Sequence, residues 1–254
     1  NTLEAFKSAV DKGVDVLELD VVINKYDEVI VSHEPFMHSD YVLLPKGEAI
    51  KPENQRSWNI YHMRLDSIQT FDTGSKIHKG FPNQRKLPTY KPSLEEVFLF
   101  LEKEYGKEIF SRIAFNIELK SNPKEYGKYQ SYPENMTAVF FKFMAKYKYV
   151  EYILQSFDIN ILENAKIKKP NLPISYLVSQ GSLLDNLKKL TFKPDIYSPN
   201  FKLLTSELEV KEIQNHSIKV IPWTVNEEYD IKQLINWGVD GIISDYPERV
   251  LKLR

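Results

Sequence analysis

The stretch that decides the fold is Val16–His33, which reads VLELDVVINKYDEVIVSH. Glu18 and Asp20 alternate with apolar residues in its first half, the period of two that is typical of a strand with one buried face. A polar turn follows, and Val29–Val31 is predicted to return as a second strand. In such a hairpin, His33 comes back to about the level of Asp20, so that one segment brings two carboxylates and an imidazole together.

A second pair of charged residues lies a hundred positions further on, in Phe115–Lys120 (FNIELK). Glu118 and Lys120 are two residues apart, so they project from one face of a predicted strand while apolar residues fill the other. Without a functional site, Glu118 and Lys120 would simply form a salt bridge at the strand end. The first stretch would then be an amphipathic hairpin with its two acids and its histidine exposed to water. Both pairs fall at the carboxyl ends of their strands, which favours one shared site.

This predicted site offers oxygen ligands only, because Glu18, Asp20 and Glu118 are carboxylates and the chain contains no cysteine. Oxygen ligands suit hard cations, so the sequence predicts one divalent cation, either Ca²⁺ or Mg²⁺. Lys120 beside such an ion could offset the charge of an anionic ligand, for which phosphate is the obvious candidate.

Composition limits the classes of partner. Among 254 residues, 34 Lys and Arg stand against 35 Asp and Glu, so no general electrostatic attraction to nucleic acid is expected. No apolar run is long enough to span a bilayer. The expected partner is therefore a small molecule. The composition leaves both the oligomeric state and the compartment open, whether periplasmic, extracellular or cytoplasmic.

Strands and helices alternate along the rest of the chain. Apart from the returning strand of the hairpin, strands are predicted to begin near residues 14, 112, 152, 174, 195, 219 and 240. Helices are predicted at residues 1–12, 60–71, 93–104, 133–149, 160–168, 182–190, 205–215, 227–237 and 248–253. This alternation predicts an α/β fold with a parallel sheet, and the chain length suits a (β/α)₈ TIM barrel. An open doubly wound sheet is the alternative, but no Gly-rich turn follows the first strand.

Two departures from regular alternation accompany this prediction. The chain begins with a helix that leads straight into a strand, so the first strand of the barrel is expected upstream of residue 1. Residues 34–92 form a long irregular excursion, which is usually a sign of function in a compact domain. We therefore expect a single domain over residues 1–254, with residues 34–92 inserted over the carboxyl-terminal face of the barrel.

Several blocks together resemble the glycerophosphodiester phosphodiesterase family. The opening NTLEAFKSAVDKGVDVLELDVVINKYDEVIVSHE, then FNIELK, LQSFD, PWTVN and GIISDYPE, match the blocks of that family in order along the chain. The resemblance implies that Glu18, Asp20 and Glu118 hold the divalent ion and that His33 is one of two acid–base histidines. It also implies that Lys120 contacts phosphate and that Trp223 lines the substrate pocket, although packing at the barrel rim is an equal explanation for the tryptophan.

Gln155, at the end of a later strand, is added to the predicted substrate-binding residues. The resemblance implies metal-dependent hydrolysis of glycerophosphodiesters to an alcohol and glycerol 3-phosphate. A lysophospholipase D, a phosphoinositide-phospholipase-like enzyme and a non-catalytic phosphodiester-binding descendant are the alternatives. The family's first His-Arg pair and the Pro-Glu of its Pro-Glu-Asn-Thr motif are expected upstream of residue 1. The excursion lacks the usual run after the second histidine, so the preferred alcohol stays open.

Overall fold

One seven-stranded sheet organises the computed structural model, which describes residues 1–254. Its strands are β1 (Val16–Ile23), β2 (Val29–Val31), β3 (Ala114–Leu119), β4 (Tyr152–Ser156), β5 (Ile174–Val178), β6 (Ile196–Pro199) and β7 (Lys219–Val220). The order across the sheet is β2-β1-β3-β4-β5-β6-β7. Only the β1–β2 hairpin is antiparallel, and every other neighbouring pair is parallel.

Nine α-helices accompany the strands. They are α1 (Leu3–Asp11), α2 (Leu65–Ile68), α3 (Leu94–Phe110), α4 (Pro133–Met144), α5 (Ile159–Lys168), α6 (Leu183–Leu187), α7 (Glu207–Asn215), α8 (Glu228–Asn236) and α9 (Pro247–Leu253). Short 3₁₀ helices occupy Pro52–Ser57, Ile60–His62, Pro123–Glu125 and Phe201–Leu203. None of these helices combines the length and the apolar character that crossing a bilayer requires.

Parallel strands that follow one another in chain order, with helices between them, are the arrangement of a (β/α)₈ barrel. The predicted fold class is thus confirmed. A cluster of 39 buried apolar residues joins the strands to the surrounding helices and forms the main core. Because β1 and β3 are hydrogen-bonded in parallel, with Asp20 opposite Glu118, their charged carboxyl-terminal residues share one level of the sheet.

Local sequence signals set several boundaries. The side chain of Thr2 accepts a hydrogen bond from Ala5 N and caps α1, which ends before Gly13 at φ +80°. That backbone angle favours glycine, because a Cβ atom makes the left-handed region costly. Ser93 and Glu96 form a capping box at the start of α3.

Two predicted elements are wrong in detail. No strand forms at residues 240–244, although backbone hydrogen bonds join this segment to the preceding one, among them Asp240 N to Val220 O at 2.9 Å. The predicted helix at residues 60–71 is broken into the 3₁₀ turn Ile60–His62 and α2, with extended backbone at Met63 and Arg64 between them. Apolar spacing alone does not reveal such an interruption.

The inserted segment, residues 34–92, has a small core of its own. Its apolar residues pack with Val22 and Ile30 of the hairpin into a second cluster of eight buried residues. Arg56 forms an ion pair with Glu125 at 2.8 Å, and Asn59 Nδ2 donates to Lys128 O at 2.8 Å. Both partners lie in the loop after β3, so the insertion contacts the chain that follows the carboxyl end of that strand.

Candidate active site

The three predicted carboxylates converge where β1 and β3 lie side by side. Glu18 and Asp20 project from β1, and Glu118 projects from β3 opposite Asp20. One oxygen of each carboxylate lies within 4.8 Å of the corresponding oxygens of the other two. Asp20 and Glu118 are buried, whereas Glu18 keeps partial access to solvent. Three carboxylates at such distances repel one another unless positive charge lies among them.

Lys120 supplies one positive charge at this cluster. Its Nζ lies 2.8 Å from Glu118 Oε1 and 3.6 Å from Asp20 Oδ1. Burial lowers the pKa of Lys120, but the negative charges of Glu118 and Asp20 outweigh it and raise the pKa above its usual value. Three carboxylates and one ammonium leave two uncompensated negative charges, which is the charge that a divalent cation neutralises.

The carboxylates themselves are strongly perturbed. Burial raises the pKa of Glu118 to about 7, with Lys120 opposing the shift and Asp20 adding to it. Loss of hydration, together with the charges of Asp20 and Glu118, raises the pKa of Glu18 well above its usual range. Carboxylates that are this costly to ionise in the protein alone are what a cation would hold in the charged form, so the residues present fit a hard divalent ion.

Amide side chains hold two of these carboxylates in place. Asn1 Nδ2 donates to Asp20 Oδ2 at 2.7 Å, and the backbone N of Asp20 donates to Asn1 Oδ1 at 3.1 Å. Gln155 Nε2 donates to Glu18 Oε1 at 2.6 Å, while its Oε1 accepts from Asn116 Nδ2 at 2.9 Å. Both ends of the Gln155 amide are therefore engaged inside the protein, which favours a role in orienting Glu18.

His33 lies on the hairpin next to this cluster. Val31 pairs with Val21 across the hairpin, and the backbone N of Ser32 donates to Asp20 O at 3.0 Å, so His33 returns to the level of Asp20 as predicted. The side chain of His33 is 61% exposed. Its Nδ1 lies 2.8 Å from Glu34 Oε1.

Glu34 strongly affects this histidine. The hydrogen bond with Glu34 raises the pKa of His33, against partial burial and the charge of Lys120, while the charge of Asp20 adds to the rise. Burial acts to raise the pKa of Glu34 in turn, but hydrogen bonds with His33 and Tyr41 outweigh it and bring that pKa to about 2. An ionised Glu34 and an accessible imidazole thus form a pair beside the carboxylates.

Trp223 lies at the rim of the same end of the sheet. Its indole Nε1 donates to Ser198 O at 2.9 Å, and its ring meets the ring of Phe157 edge to face at 5.3 Å between centroids. The Lys120 ammonium lies 5.9 Å from the centroid of the Phe157 ring. The two aromatic side chains therefore form an apolar wall that adjoins the charged cluster.

A cleft of about 570 Å³ opens beside this wall. It is lined by Ser121, Asn122, Pro123, Phe157, Asp158, Ile159 and Asn160. Phe157 lines the cleft and lies near the Lys120 ammonium, so the cleft adjoins the charged cluster. Its volume lies in the range of small-molecule binding sites.

The sequence-based prediction missed Glu34 and Phe157. Glu34 follows His33 directly, so the His-Glu pair itself was a usable signal. Phe157 follows the strand end that carries Gln155. From sequence alone, a single aromatic residue after a strand cannot be told apart from one that only packs in the core.

The sequence of the chain is similar to the sequences of known enzymes. The sequence model of the glycerophosphoryl diester phosphodiesterase family matches residues 1–249. A glycerophosphodiester phosphodiesterase of Caldanaerobacter subterraneus subsp. tengcongensis is 29% identical over all of this chain and 91% of its own length.

Solved structures share the fold. A glycerophosphoryl diester phosphodiesterase of Silicibacter pomeroyi, named as putative, superposes with a TM-score of 0.85 at 26% identity, over 100% of this chain and 87% of the other. A phosphodiesterase of Oleispira antarctica, solved in complex with the product sn-glycerol-3-phosphate, gives a TM-score of 0.75 at 21% identity, over 100% and 90% of the two chains.

Proposed function

The chain belongs to the glycerophosphoryl diester phosphodiesterase family, and from this premise we propose that it hydrolyses glycerophosphodiesters to an alcohol and glycerol 3-phosphate with the help of a divalent cation. Water adds across the bond between phosphorus and the alcohol oxygen: phosphorus gains the hydroxyl, and the departing alcohol oxygen gains a proton. The chain is thus a phosphoric diester hydrolase.

The observation that carries the proposal is the convergence of three carboxylates, one lysine and one histidine at one end of the parallel sheet. Glu18, Asp20 and Glu118 present oxygens within 4.8 Å of one another, and Lys120 contacts two of the three. In barrels of this kind the carboxyl-terminal face carries the active site. A merely structural ion pair would not need three carboxylates around one ammonium.

Glu18, Asp20 and Glu118 would hold the cation, and their all-oxygen donor set suits Ca²⁺ or Mg²⁺. Such an ion, when bound, would attract the phosphoryl oxygens and offset the negative charge that develops on them. The network of Asn1 and Gln155 keeps two of the three carboxylates directed into the site. Outer hydrogen bonds of this kind commonly set the affinity of a metal site.

Lys120 and His33 would act on the substrate itself. The raised pKa of Lys120 keeps its ammonium charged at neutral pH, so it can attract a phosphoryl oxygen. His33 would transfer a proton to or from a reacting oxygen, for which its exposed ring is free. Glu34 forms a hydrogen bond with Nδ1 of the His33 ring, so Nε2 would be available for the reaction.

The aromatic wall and the cleft would receive the organic parts of the substrate. Trp223 and Phe157 offer flat apolar surfaces to carbon atoms beside the phosphate. The cleft beside Phe157 adds polar side chains that could bind hydroxyl or amino groups.

Removal of divalent ions provides the first test. Purified enzyme is treated with EDTA, dialysed and assayed for release of glycerol 3-phosphate from glycerophosphocholine. We expect turnover to fall to background and to return when Ca²⁺ or Mg²⁺ is added, because Lys120 alone cannot neutralise three carboxylates. Unchanged turnover after chelation would contradict the metal requirement, and a folded protein with no turnover under any metal condition would favour a non-catalytic binding protein.

A Gln155→Leu substitution distinguishes between two roles of this residue, orientation of Glu18 and contact with substrate. Because its amide bonds to Glu18 and Asn116, we expect the variant to bind the activating metal roughly 10–100-fold more weakly. Turnover is measured against metal concentration and against substrate concentration. An unchanged metal dependence with a raised KM would instead support the predicted contact between Gln155 and substrate.

A further inference from the structure

A buried lysine lies behind His33 without a role in the site described above. Lys91 is only 5% exposed, and it lies near the end of the insertion, just before α3. Its Nζ donates to two hydroxyls, Ser32 Oγ at 2.9 Å and Tyr41 OH at 3.4 Å. Burial lowers the pKa of Lys91 to about 8, while the charges of Glu34 and Asp20 act in the opposite direction. A buried ammonium without a direct carboxylate partner is costly, so a function for it is expected.

The chemistry of an ammonium sets the direction of every hydrogen bond around it. Lysine can donate but cannot accept, so both hydroxyls accept from Lys91 and must direct their own protons elsewhere. In the structure both protons go to Glu34. Ser32 Oγ donates to the backbone O of Glu34 at 2.6 Å, and Tyr41 OH donates to Glu34 Oε2.

One acceptor oxygen of Glu34, Oε1, remains available for a further hydrogen bond. Its Oε2 and its backbone oxygen are occupied, so Oε1 accepts from His33 Nδ1. A carboxylate can only accept this bond, which requires the proton of the neutral imidazole to lie on Nδ1. Nε2 then presents its lone pair to the reaction. In water, a neutral histidine side chain prefers the opposite tautomer, with its proton on Nε2.

We propose that Lys91 and Tyr41 are positioning residues that orient Glu34 and thereby hold His33 in the Nδ1–H form that the reaction uses. The inference rests on the proposed function of His33. It assigns a catalytic reason to the insertion, because Glu34, Tyr41 and Lys91 lie near its two ends. Ser32 and His33 directly follow the hairpin strand β2. Neither Lys91 nor Tyr41 touches the substrate in this scheme.

The direct test observes the imidazole. Histidine labelled with ¹⁵N is incorporated, and the His33 resonances of the enzyme with its activating divalent ion are assigned by their loss in His33→Ala. We expect the neutral ring of wild type to carry its proton on Nδ1. In Tyr41→Phe and in Lys91→Met we expect a larger share of the Nε2–H form. In Glu34→Ala we expect in addition a lower pKa of His33. The hydrogen bond that His33 donates to Glu34 is the main cause that raises this pKa, while burial and the charge of Lys120 lower it and the charge of Asp20 raises it further.

Kinetics supply the second measurement. Tyr41→Phe and Lys91→Met are each expected to lower kcat roughly tenfold, with KM changed by less than about twofold. Tyr41→Phe introduced into Glu34→Ala is expected to cost less than about twofold more, because Tyr41 acts through Glu34. Exposed residues of the same types provide matched controls, Tyr229→Phe and Lys86→Met, and both should behave as wild type.

Three results would overturn the proposal: a wild-type His33 with its proton on Nε2, unchanged His33 resonances in both variants, or full additivity with Glu34→Ala. Tyr41→Phe preserves shape, so it keeps the test decisive even where Lys91→Met does not fold. The tautomer is read without turnover, so an Nδ1–H ring in a chain that cleaves no glycerophosphodiester would refute the proposed function while leaving the hydrogen-bond network intact.

Discussion

A His33→Ala enzyme is expected to turn over glycerophosphocholine about 10²–10⁴-fold more slowly than wild type, which is the usual contribution of a general acid or base. The loss should lie in kcat, because the imidazole moves a proton in the reaction and the substrate is held by other groups. The fold should survive. The ring is 61% exposed and packs into neither hydrophobic core, so its removal leaves no buried cavity.

The measurement is steady-state release of glycerol 3-phosphate, with thermal unfolding of the same preparation followed by circular dichroism. His216→Ala serves as the matched control, because this exposed histidine lies at the end of α7, away from the carboxylates. A His33→Ala protein that retains wild-type turnover would show that this histidine is not catalytic. If the unfolding curve shows that the variant is not folded, its loss of turnover does not count as support for a catalytic role.

Removal of one carboxylate should have the second large effect. Asp20→Asn keeps the shape of the side chain but takes away one of three negative charges, so we expect Ca²⁺ or Mg²⁺ to bind at least about 100-fold more weakly and turnover at limiting metal to fall accordingly. Asp20 adjoins the other charged groups of the cluster, because it shares one face of β1 with Glu18, lies opposite Glu118 and lies 3.6 Å from Lys120 Nζ.

Isothermal titration calorimetry of metal-free protein measures this directly. Asp15→Asn is the control, since Asp15 is exposed and pairs with Arg254 at the surface. Unaltered affinity in Asp20→Asn would contradict the assignment of the metal ligands. Weaker binding in both variants would point to a general effect of protein charge instead.

The parts of the site that lie on strands were predictable from the sequence. Alternation placed Glu18 and Asp20 on one face of β1, and the same rule placed Glu118 and Lys120 on one face of β3. Parallel pairing of neighbouring strands then set Asp20 opposite Glu118. The hairpin prediction likewise returned His33 to the level of Asp20, because a short turn leaves little freedom in register.

The parts that depend on the insertion were not predictable. Residues 34–92 have no period from which faces could be assigned, and Lys91 reaches Ser32 across 59 positions of chain. Residues 60–71 are an exception, and the break between Ile60–His62 and α2 was missed there for a different reason, because the apolar spacing continues through it. Where contacts are set by packing between distant segments, the local pattern contains no information about them.

The two ends of the insertion lie side by side. Ile30 bridges to Ser93, and the backbone N of Val31 donates to Pro92 O at 2.8 Å, so the chain leaves the barrel and re-enters it at almost the same point. Closing a loop costs entropy that grows only with the logarithm of its length. Changes in the length of the segment between Val42 and Tyr90 therefore cost little closure entropy, as long as apolar residues still cover Val22 and Ile30 and Tyr41 and Lys91 keep their contacts. Such changes would leave the barrel strands and the carboxylates on them as they are.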